Sequence, residues 1–280
     1  MLRRRHLLAA AALAPAGWPT SIGAAPPGVA DTRAALLIGN SRYAGASLKN
    51  ATADARLLES VAGELGFRTT LLLDASMART LDALRVWLLA SSGASTRLFF
   101  FAGHGAQYRG RNYLIPTDAE LRSEDDLPGR AIDASDLADR MARARHGVNL
   151  IVLDACRSLP MLQPPAGARL RAGGGNPPSP GLAPMPAPRG TLVAYSTAPG
   201  ALSADDPAST NSPYTRHLAV QLRVPRLSIE TVFKRTRAAV LQDSGGTQTP
   251  WETSSLVGEV CLACSGQDGP DTGASRTTTR

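Results

Sequence analysis

Two segments of the chain place a chemically reactive residue directly after a run of apolar residues. Residues 99–105 read Phe-Phe-Phe-Ala-Gly-His-Gly, and residues 151–157 read Ile-Val-Leu-Asp-Ala-Cys-Arg. Only the thiolate of a cysteine is a strong nucleophile, and a free thiol has a pKa of about 8.5, so the cysteine needs a base that takes its proton. His104 and Cys156 therefore form a candidate pair of base and nucleophile.

Each of these residues also has a plainer interpretation. A histidine beside glycines is more often an ordinary loop residue, and a lone cysteine is more often a small core residue. Cys156, however, stands beside the charged Asp154 and Arg157, which is an unusual setting for a core position. Side chains alternate along a strand, so we expect Asp154 and Cys156 to point to one side of the sheet and Ala155 to the other.

The apolar pattern predicts strands that alternate with helices. Apolar runs predict strands at residues 34–38, 67–73, 97–101, 148–153 and 191–196. Apolar residues at helical spacing predict helices around 57–65, 79–89, 135–144, 210–222 and 228–241. This order favours an α/β fold with a mostly parallel sheet, whose carboxyl edge would hold both reactive residues. The other histidines beyond the N-terminal segment, His146 and His217, do not end a strand.

Composition excludes several classes of protein. The 280 residues are 43% hydrophobic and 19% charged, which is too apolar for a disordered chain and too charged for one that crosses a membrane many times. The 30 basic and 23 acidic residues give a net charge of +7, and without residues 1–25 the balance is 27 basic against 23 acidic. The basic residues form no single stripe, so we expect no nucleic-acid partner.

Residues 1–25 have the order of an export signal. Arg3, Arg4 and Arg5 precede an apolar run, and small residues follow up to Ala25. The apolar run is shorter than the roughly 20 residues that span a bilayer, so a signal peptide of general secretory or twin-arginine type is predicted. The alternative is a retained basic anchor. After cleavage near Ala25, the protein is expected in the periplasm or outside the cell, without stable membrane insertion.

Composition changes abruptly in the second half of the chain. Residues 160–190 contain nine prolines and six glycines, which predicts a flexible loop at 161–190. The ordered pattern covers residues 31–160 and resumes at 191–264. The tail at 265–280 is rich in Gly, Ser and Thr and is predicted to be disordered.

The combined pattern resembles the caspase-like cysteine peptidases, most closely the bacterial relatives of metacaspases and paracaspases. His-Gly after a strand and Asp-Ala-Cys-Arg about 50 residues later carry the resemblance. It covers roughly residues 33–260, through the segments 35–40, 48–54, 112–118, 194–200, 211–215 and 229–237. It implies a caspase-like fold with a mostly parallel central sheet of about six strands, in which residues 31–160 and 191–264 are the p20-like and p10-like parts of one catalytic unit.

The resemblance also implies roles at the reacting bond. Cys156 would be the nucleophile of a cysteine endopeptidase, and His104 would be the general base that later protonates the leaving amine. The backbone N–H groups of Gly105 and Cys156 would hold the developing oxyanion. This chemistry requires no metal and no cofactor. Some metacaspases are activated by calcium, but no dedicated calcium loop is visible in this sequence.

An acidic S1 pocket follows from the same resemblance. Asp154 holds the position two residues before the cysteine, where metacaspases and paracaspases have an acid that helps to bind P1 Arg or Lys. Asp54 matches the acid of the metacaspase Asn-Asp segment, although Ala53 precedes it, and its plainer interpretation is a solvated helix residue. Asp205 falls where paracaspases place a further acid, with Asp206 as the alternative. Protein or peptide substrates with a basic P1 residue are expected, with Arg favoured at least as strongly as Lys.

Further expectations concern the loop and the C-terminus. Arg169, Arg171 and Arg189 are candidate self-cleavage points if the pocket takes arginine; the alternative is a passive spacer. Cys261 and Cys264 lack the further ligands that a zinc site needs, and a local disulfide between them would leave Cys156 as the unpaired thiol. Since metacaspases are often monomers, a monomer is expected.

Two rival functions stay open on the sequence alone. One is a non-catalytic module that keeps the fold for binding, and the intact pair of His104 and Cys156 speaks against it. The other is a nucleotide-binding α/β protein, because residues 37–40 end the first strand in Leu-Ile-Gly-Asn. No glycine-rich phosphate-binding loop follows that strand. The leading hypothesis is therefore an exported cysteine peptidase.

Overall fold

The computed structural model describes residues 32–144, 146–156, 182–199, 201, 206 and 208–264. The predicted signal at 1–25, the tail at 265–280 and most of the loop at 161–190 lie outside these residues, as do Arg169, Arg171 and Asp205. Within the described range, no helix is both long and apolar enough to cross a membrane.

Strands and helices alternate along the described chain. The strands are β1 (Arg33–Gly39), β2 (Phe67–Leu73), β3 (Thr96–Tyr108), β4 (Arg111–Leu114), β5 (Ile132–Asp133), β6 (Val148–Cys156), β7 (Thr191–Tyr195) and β8 (Trp251–Ser254). The helices are α1 (Ala51–Glu64), α2 (Met77–Ala90), α3 (Leu127–Arg130), α4 (Ala134–Ala142), α5 (Pro213–Leu222) and α6 (Ile229–Asp243). The predicted α/β order is confirmed.

The central sheet has the strand order β2-β1-β3-β6-β7-β8. Its neighbouring strands are parallel except for β8, which runs antiparallel to β7. β1, β3 and β7 are buried along nearly their whole length, as strands covered on both faces must be. The structure therefore confirms the mostly parallel sheet of about six strands.

Helices cover both faces of this sheet. Leu37, Phe100 and Val152 belong to a core that includes residues of α1, α5 and α6. The neighbouring residues along the same strands belong to a second core with α2 and α4. Because side chains alternate along a strand, consecutive residues at the end of β6 face different helices. Ala155 belongs to the α2 and α4 core, and Asp154 contacts α5.

Two of the predicted strands end later than expected. β3 continues past His104 to Tyr108, because its last residues pair with the antiparallel β4. β6 continues to Cys156, because its last residues stay in register with β3. The short β4, β5 and β8 were not predicted, since runs of two or four residues give no periodic apolar signal.

The predicted flexible loop is wrong for its last part, residues 182–190. Leu182, Ala183 and Met185 are buried. Asn112 donates to the carbonyl of Ala183 and accepts from its N–H, both at 2.7 Å. Prolines at every second position fix the backbone, and the residues between them supply the N–H groups and apolar contacts that hold the segment. Arg189 is exposed in the turn before β7.

Candidate active site

β3 and β6 bring the two reactive residues side by side. These strands are parallel neighbours, and their register pairs Ala102 with Asp154 and His104 with Cys156. Cys156 is described through its backbone, which ends β6. The pair therefore lies at the carboxyl edge of the central sheet, where the sequence placed it.

The ring of His104 is fixed by a backbone carbonyl. The residue is 2% exposed, and its Nε2 lies 2.7 Å from the carbonyl oxygen of Ala46. A carbonyl can only accept a hydrogen bond, so Nε2 carries the proton of the neutral ring. Nδ1 is then the unprotonated, basic nitrogen. A histidine that acts as a general base through Nδ1 requires this tautomer.

Tyr43 supports both the backbone and the ring of His104. Its hydroxyl accepts from the His104 N–H at 3.1 Å and donates to the carbonyl of Ile115 at 3.0 Å. The two ring centroids are 4.5 Å apart. Burial raises the pKa of Tyr43 far above its ordinary value, so the hydroxyl remains a donor. Gly103 makes room for this contact, because a Cβ there would lie 2.6 Å from the Tyr43 hydroxyl.

The backbone directions of Gly105 and Cys156 follow from the strand pairing. Within one peptide group of a strand the C=O and N–H point to opposite edges, and every second peptide group points the same way. The carbonyl of His104 accepts from Ile115 on the β4 edge, so the N–H of Gly105 points to the other edge, toward β6. The carbonyl of Leu153 accepts from Ser196 beside β7, so the N–H of Cys156 points toward β3. Both N–H groups therefore face the space between the ends of β3 and β6.

Asp54 and Asp154 meet at the beginning of α5. Asp54 lies in the first turn of α1 and is 2% exposed, so its interpretation as a solvated helix residue is wrong. Its Oδ1 accepts from the side chain of Asn211 at 2.9 Å and from the backbone N–H of Ser212 at 3.0 Å. The Oδ2 of Asp154 accepts from the hydroxyls of Ser212 and Thr215. One serine thus contacts both carboxyl groups.

The two buried carboxyl groups disfavour each other's ionisation. Burial, followed by the negative charge of Asp154, raises the pKa of Asp54 to about 8. The hydrogen bonds from Asn211 and Ser212 act in the opposite direction but do not outweigh these effects. A site of this kind can bind a guanidinium or ammonium group, whose positive charge favours ionisation of both acids.

Of the two alternatives for a third acid, Asp205 lies outside the described residues and Asp206 is already paired. The carboxylate of Asp206 accepts from the N–H of Ala208 at 2.9 Å and lies 3.1 Å from Arg216. These contacts hold the pKa of Asp206 below its ordinary value. Asn50, just before α1, accepts from the Asp206 N–H at 2.8 Å and ties this segment to the helix that carries Asp54. Asp206 is therefore less suited to receive a substrate cation.

Asn40 ends the Leu-Ile-Gly-Asn segment on which the nucleotide-binding alternative rests. Its side chain holds neighbouring backbone segments together. Its side chain donates to the carbonyl of Ile115 at 3.3 Å and accepts from the N–H of Ala75 at 3.0 Å. It joins the end of β1 to the segments that follow β2 and β4.

The C-terminal cysteines lie away from this edge. Cys261 and Cys264 are joined by a disulfide. Arg33, at the start of β1, donates to the carbonyl of Leu262 between them at 2.6 Å. In the part of the chain that the structure describes, no group of three or more His, Cys, Asp or Glu side chains could hold a metal ion.

Sequence reasoning assigned no role to five residues that contact His104 or the two acids. These are Tyr43, Ala46, Asn211, Ser212 and Thr215, of which the last three lie in the segment 211–215 of the resemblance. Tyr43 and the carbonyl of Ala46 leave no recognisable pattern in the sequence. Ser212 does, because Ser followed by Pro is typical of a helix start, and this signal could have placed a side chain at the pocket.

Comparison with known proteins identifies the family of the chain. The family model described as the caspase domain matches residues 32–261. The chain is 30% identical over 132 residues to mucosa-associated lymphoid tissue lymphoma translocation protein 1 of Homo sapiens, and equally to the homologue of Mus musculus. These alignments cover 46% of this chain and 15% of each relative, so the chain spans a small part of their length.

Proposed function

Because this chain belongs to the caspase domain family, peptidase C14, we propose that it is a cysteine endopeptidase with Cys156 as nucleophile and His104 as general base. The observation that supports these roles best is the register of β3 and β6, which makes the two residues direct neighbours. The carbonyl of Ala46 adds to it by holding the His104 ring in one tautomer.

The proposed reaction proceeds through an acyl-enzyme. His104 Nδ1 takes the thiol proton of Cys156, and the thiolate attacks the scissile carbonyl carbon. The N–H groups of Gly105 and Cys156 stabilise the negative charge on the carbonyl oxygen. His104 then gives its proton to the leaving amine as the C–N bond breaks. A water molecule, deprotonated by His104, hydrolyses the thioester and restores the thiol.

Specificity for P1 Arg or Lys is proposed for the pocket of Asp54 and Asp154. Both acids are buried and lie on one face of the sheet, at the edge where β6 ends in Cys156. Burying a substrate cation without a partner would be costly, and two acids compensate that cost. A guanidinium can use two carboxylates through its fork of donors, whereas an ammonium acts as a point charge.

Self-cleavage within residues 161–190 is a further proposal. Of the three candidate arginines, Arg189 is the one within the described range, and it is exposed. Mass spectrometry of the purified wild type beside Cys156→Ala tests this. We expect fragments in the wild type that end at Arg169, Arg171 or Arg189. Identical intact masses for the two proteins would contradict the proposal.

The remaining proposals concern the setting of the activity. The protein acts as an exported monomer, in the periplasm or outside the cell, on protein or peptide substrates. Neither a cofactor nor a nucleic acid takes part. Activity that is unchanged by EDTA and by added calcium would support independence from metal ions.

Hydrolysis of fluorogenic peptides that differ only at P1 tests the enzyme and its pocket together. Peptides ending in Arg, Lys or Asp are compared with the protein lacking residues 1–25 and its Cys156→Ala variant. We expect cleavage after Arg and Lys that disappears in the variant. Cleavage after Asp would keep the reactive pair but contradict the pocket. No cleavage of any peptide, with or without calcium, would favour a non-catalytic binding module.

A further inference from the structure

Ser212 joins the two pocket acids through two of its hydrogen bonds. Its backbone N–H donates to Asp54 Oδ1 at 3.0 Å, and its hydroxyl donates to Asp154 Oδ2. The same hydroxyl oxygen accepts from the backbone N–H of Thr215 at 3.1 Å and so caps α5. A serine hydroxyl has a single hydrogen, and this arrangement directs it to Asp154. Both carboxyl groups are thereby held by one residue.

The donors to the two acids differ in kind. Asp154 receives the hydroxyls of both Ser212 and Thr215, at the N-terminus of the 10-residue α5, where the helix dipole favours negative charge. Asp54 accepts both of its N–H donors on Oδ1, so a proton on Oδ2 would displace neither of them. Since two negative charges in one buried site disfavour each other, the pair is expected to hold one proton. The raised pKa of Asp54, about 8, agrees with a proton on Asp54.

We propose that Ser212 is a specificity-determining residue, which clamps the two carboxyl groups into a site that holds one proton when empty and exchanges it for the substrate's side-chain cation. In the empty pocket Asp154 is a carboxylate and Asp54 is a carboxylic acid. When P1 Arg or Lys binds, the Asp54 proton passes to solvent, and the net charge of the pocket with its occupant stays the same. This inference rests on the proposed Arg and Lys specificity and adds its proton linkage.

Other charged and titratable groups surround the pair. Burial, followed by the charge of Asp154, raises the pKa of Tyr214 far above its ordinary value, so Tyr214 stays neutral. The groups with ionic partners are Arg216 with Asp206 and Asp243, His217 with Asp243, and Arg237 with Glu252. Further ionisable groups of this region are His104 on β3, Cys156 on β6 and the exposed Lys49 before α1. Asp54 is thus the group expected to release the proton.

Calorimetric titration measures the exchange directly. The full chain carrying Cys156→Ala is titrated with acetyl-Ala-Ala-Ala-Arg amide near pH 7, in phosphate and in Tris. These buffers differ in ionisation enthalpy, so the difference in heat gives the number of protons released per peptide. The variant lacks the thiol, so Cys156 cannot contribute a proton. We expect close to one proton near pH 7 and close to none well above pH 8, where Asp54 is already ionised. In the same background, Asp54→Asn is expected to release none.

Ser228 provides a matched control for Ser212. It caps α6 as Ser212 caps α5, each by accepting from the N–H three residues ahead. Both Ser212→Ala and Ser228→Ala are expected to lower the unfolding temperature, Ser212→Ala by more because it also removes a hydrogen bond to the buried Asp154. Only Ser212→Ala is expected to weaken binding of the arginine peptide, by about tenfold, and to reduce its preference over the lysine peptide.

Three results would overturn the proposal at different levels. An arginine peptide that binds without releasing a proton would refute the exchange and leave the proposed specificity intact. Equal effects of Ser212→Ala and Ser228→Ala on binding would reduce Ser212 to a helix cap. An arginine peptide that binds no more tightly than its aspartate counterpart would refute the proposed specificity, and the inference with it.

Discussion

Tyr43 links the backbone and the ring of His104, although it carries out no chemistry itself. The change Tyr43→Phe keeps the ring contact and removes the hydroxyl. It leaves the buried N–H of His104 and the carbonyl of Ile115 without this partner, at a cost of about 1–3 kcal/mol. We expect kcat for a P1 Arg peptide to fall about tenfold, because His104 shifts, and KM to stay nearly constant, because the acid pair is untouched.

Steady-state kinetics of purified variants check this expectation. Tyr108→Phe is the control, since Tyr108 lies at the far end of β3 and its hydroxyl contacts the exposed Asp125. Equal kcat values for the two variants and the wild type would contradict the role of Tyr43.

Asp54 predicts a pH dependence of stability with a definite sign. Its pKa is raised from 3.8 in the unfolded chain to about 8 in the folded protein, so the folded state binds the proton more tightly. The stability from this linkage is fully present below about pH 4 and is lost as the pH rises through about 8. Asp54→Asn cannot ionise, so its free energy of unfolding should fall less than that of the wild type between pH 5 and pH 9. Urea unfolding at several pH values measures this, and parallel curves would contradict it.

At the scale of elements, β3 serves both the core and the site. Its first half lies in the central sheet, and its second half pairs with β4. Gly103 stands between these halves, where a Cβ would lie 2.6 Å from the Tyr43 hydroxyl and 2.8 Å from the ring of Phe101. Gly103→Ala is therefore expected to cost about 1–3 kcal/mol of stability and most of the activity. Thermal unfolding and peptide hydrolysis measure the two effects.

Gly93 supplies the control for Gly103. A Cβ at Gly93 would meet no atom within 4 Å, so Gly93→Ala should leave stability and activity near wild type. Similar losses of stability and activity in both variants would show that close packing around Gly103 does not cause the effects of Gly103→Ala.

The sequence predicts some elements better than others for physical reasons. β1 and β6 are recognisable because burial on both faces requires unbroken apolar runs. β4 forms by pairing with the residues that follow His104, and β5 forms by pairing with β4. A local sequence pattern does not record such pairing. At the site, His104 and Asp154 are predictable because chemistry restricts their type. Ala46 is not, because it contributes only a carbonyl, which any residue could supply.

At the scale of the whole molecule, the two ends of the central sheet have different roles. The carboxyl end carries the two buried acids and the proposed catalytic pair, His104 and Cys156. The amino end carries structural cations: Arg97 is 1% exposed and donates to the carbonyls of Ser91 and Ala94 at 3.0 and 2.8 Å. Arg33 donates to the carbonyls of Leu65 and Leu262 at 2.8 and 2.6 Å. Changes at the amino end should therefore affect stability more than catalysis.

The disulfide between Cys261 and Cys264 is the clearest test of that division. It closes a loop with a sequence separation of 3, so it restricts the unfolded chain very little. Its main effect is to shape the turn whose carbonyls accept from Arg33 and from the backbone of Arg226. The double change Cys261→Ser and Cys264→Ser should lower Tm by a few degrees, which corresponds to about 1 kcal/mol, and leave kcat/KM for the arginine peptide unchanged.

A reductant provides an independent check of the same prediction. Dithiothreitol should lower the Tm of the wild type to that of the double variant and leave the Tm of the variant itself unchanged. It should not reduce activity, because the proposed nucleophile Cys156 must be a free thiol. Loss of activity in the double variant at a temperature where it remains folded would mean that the amino end of the sheet controls the site, and the division of roles would then be wrong.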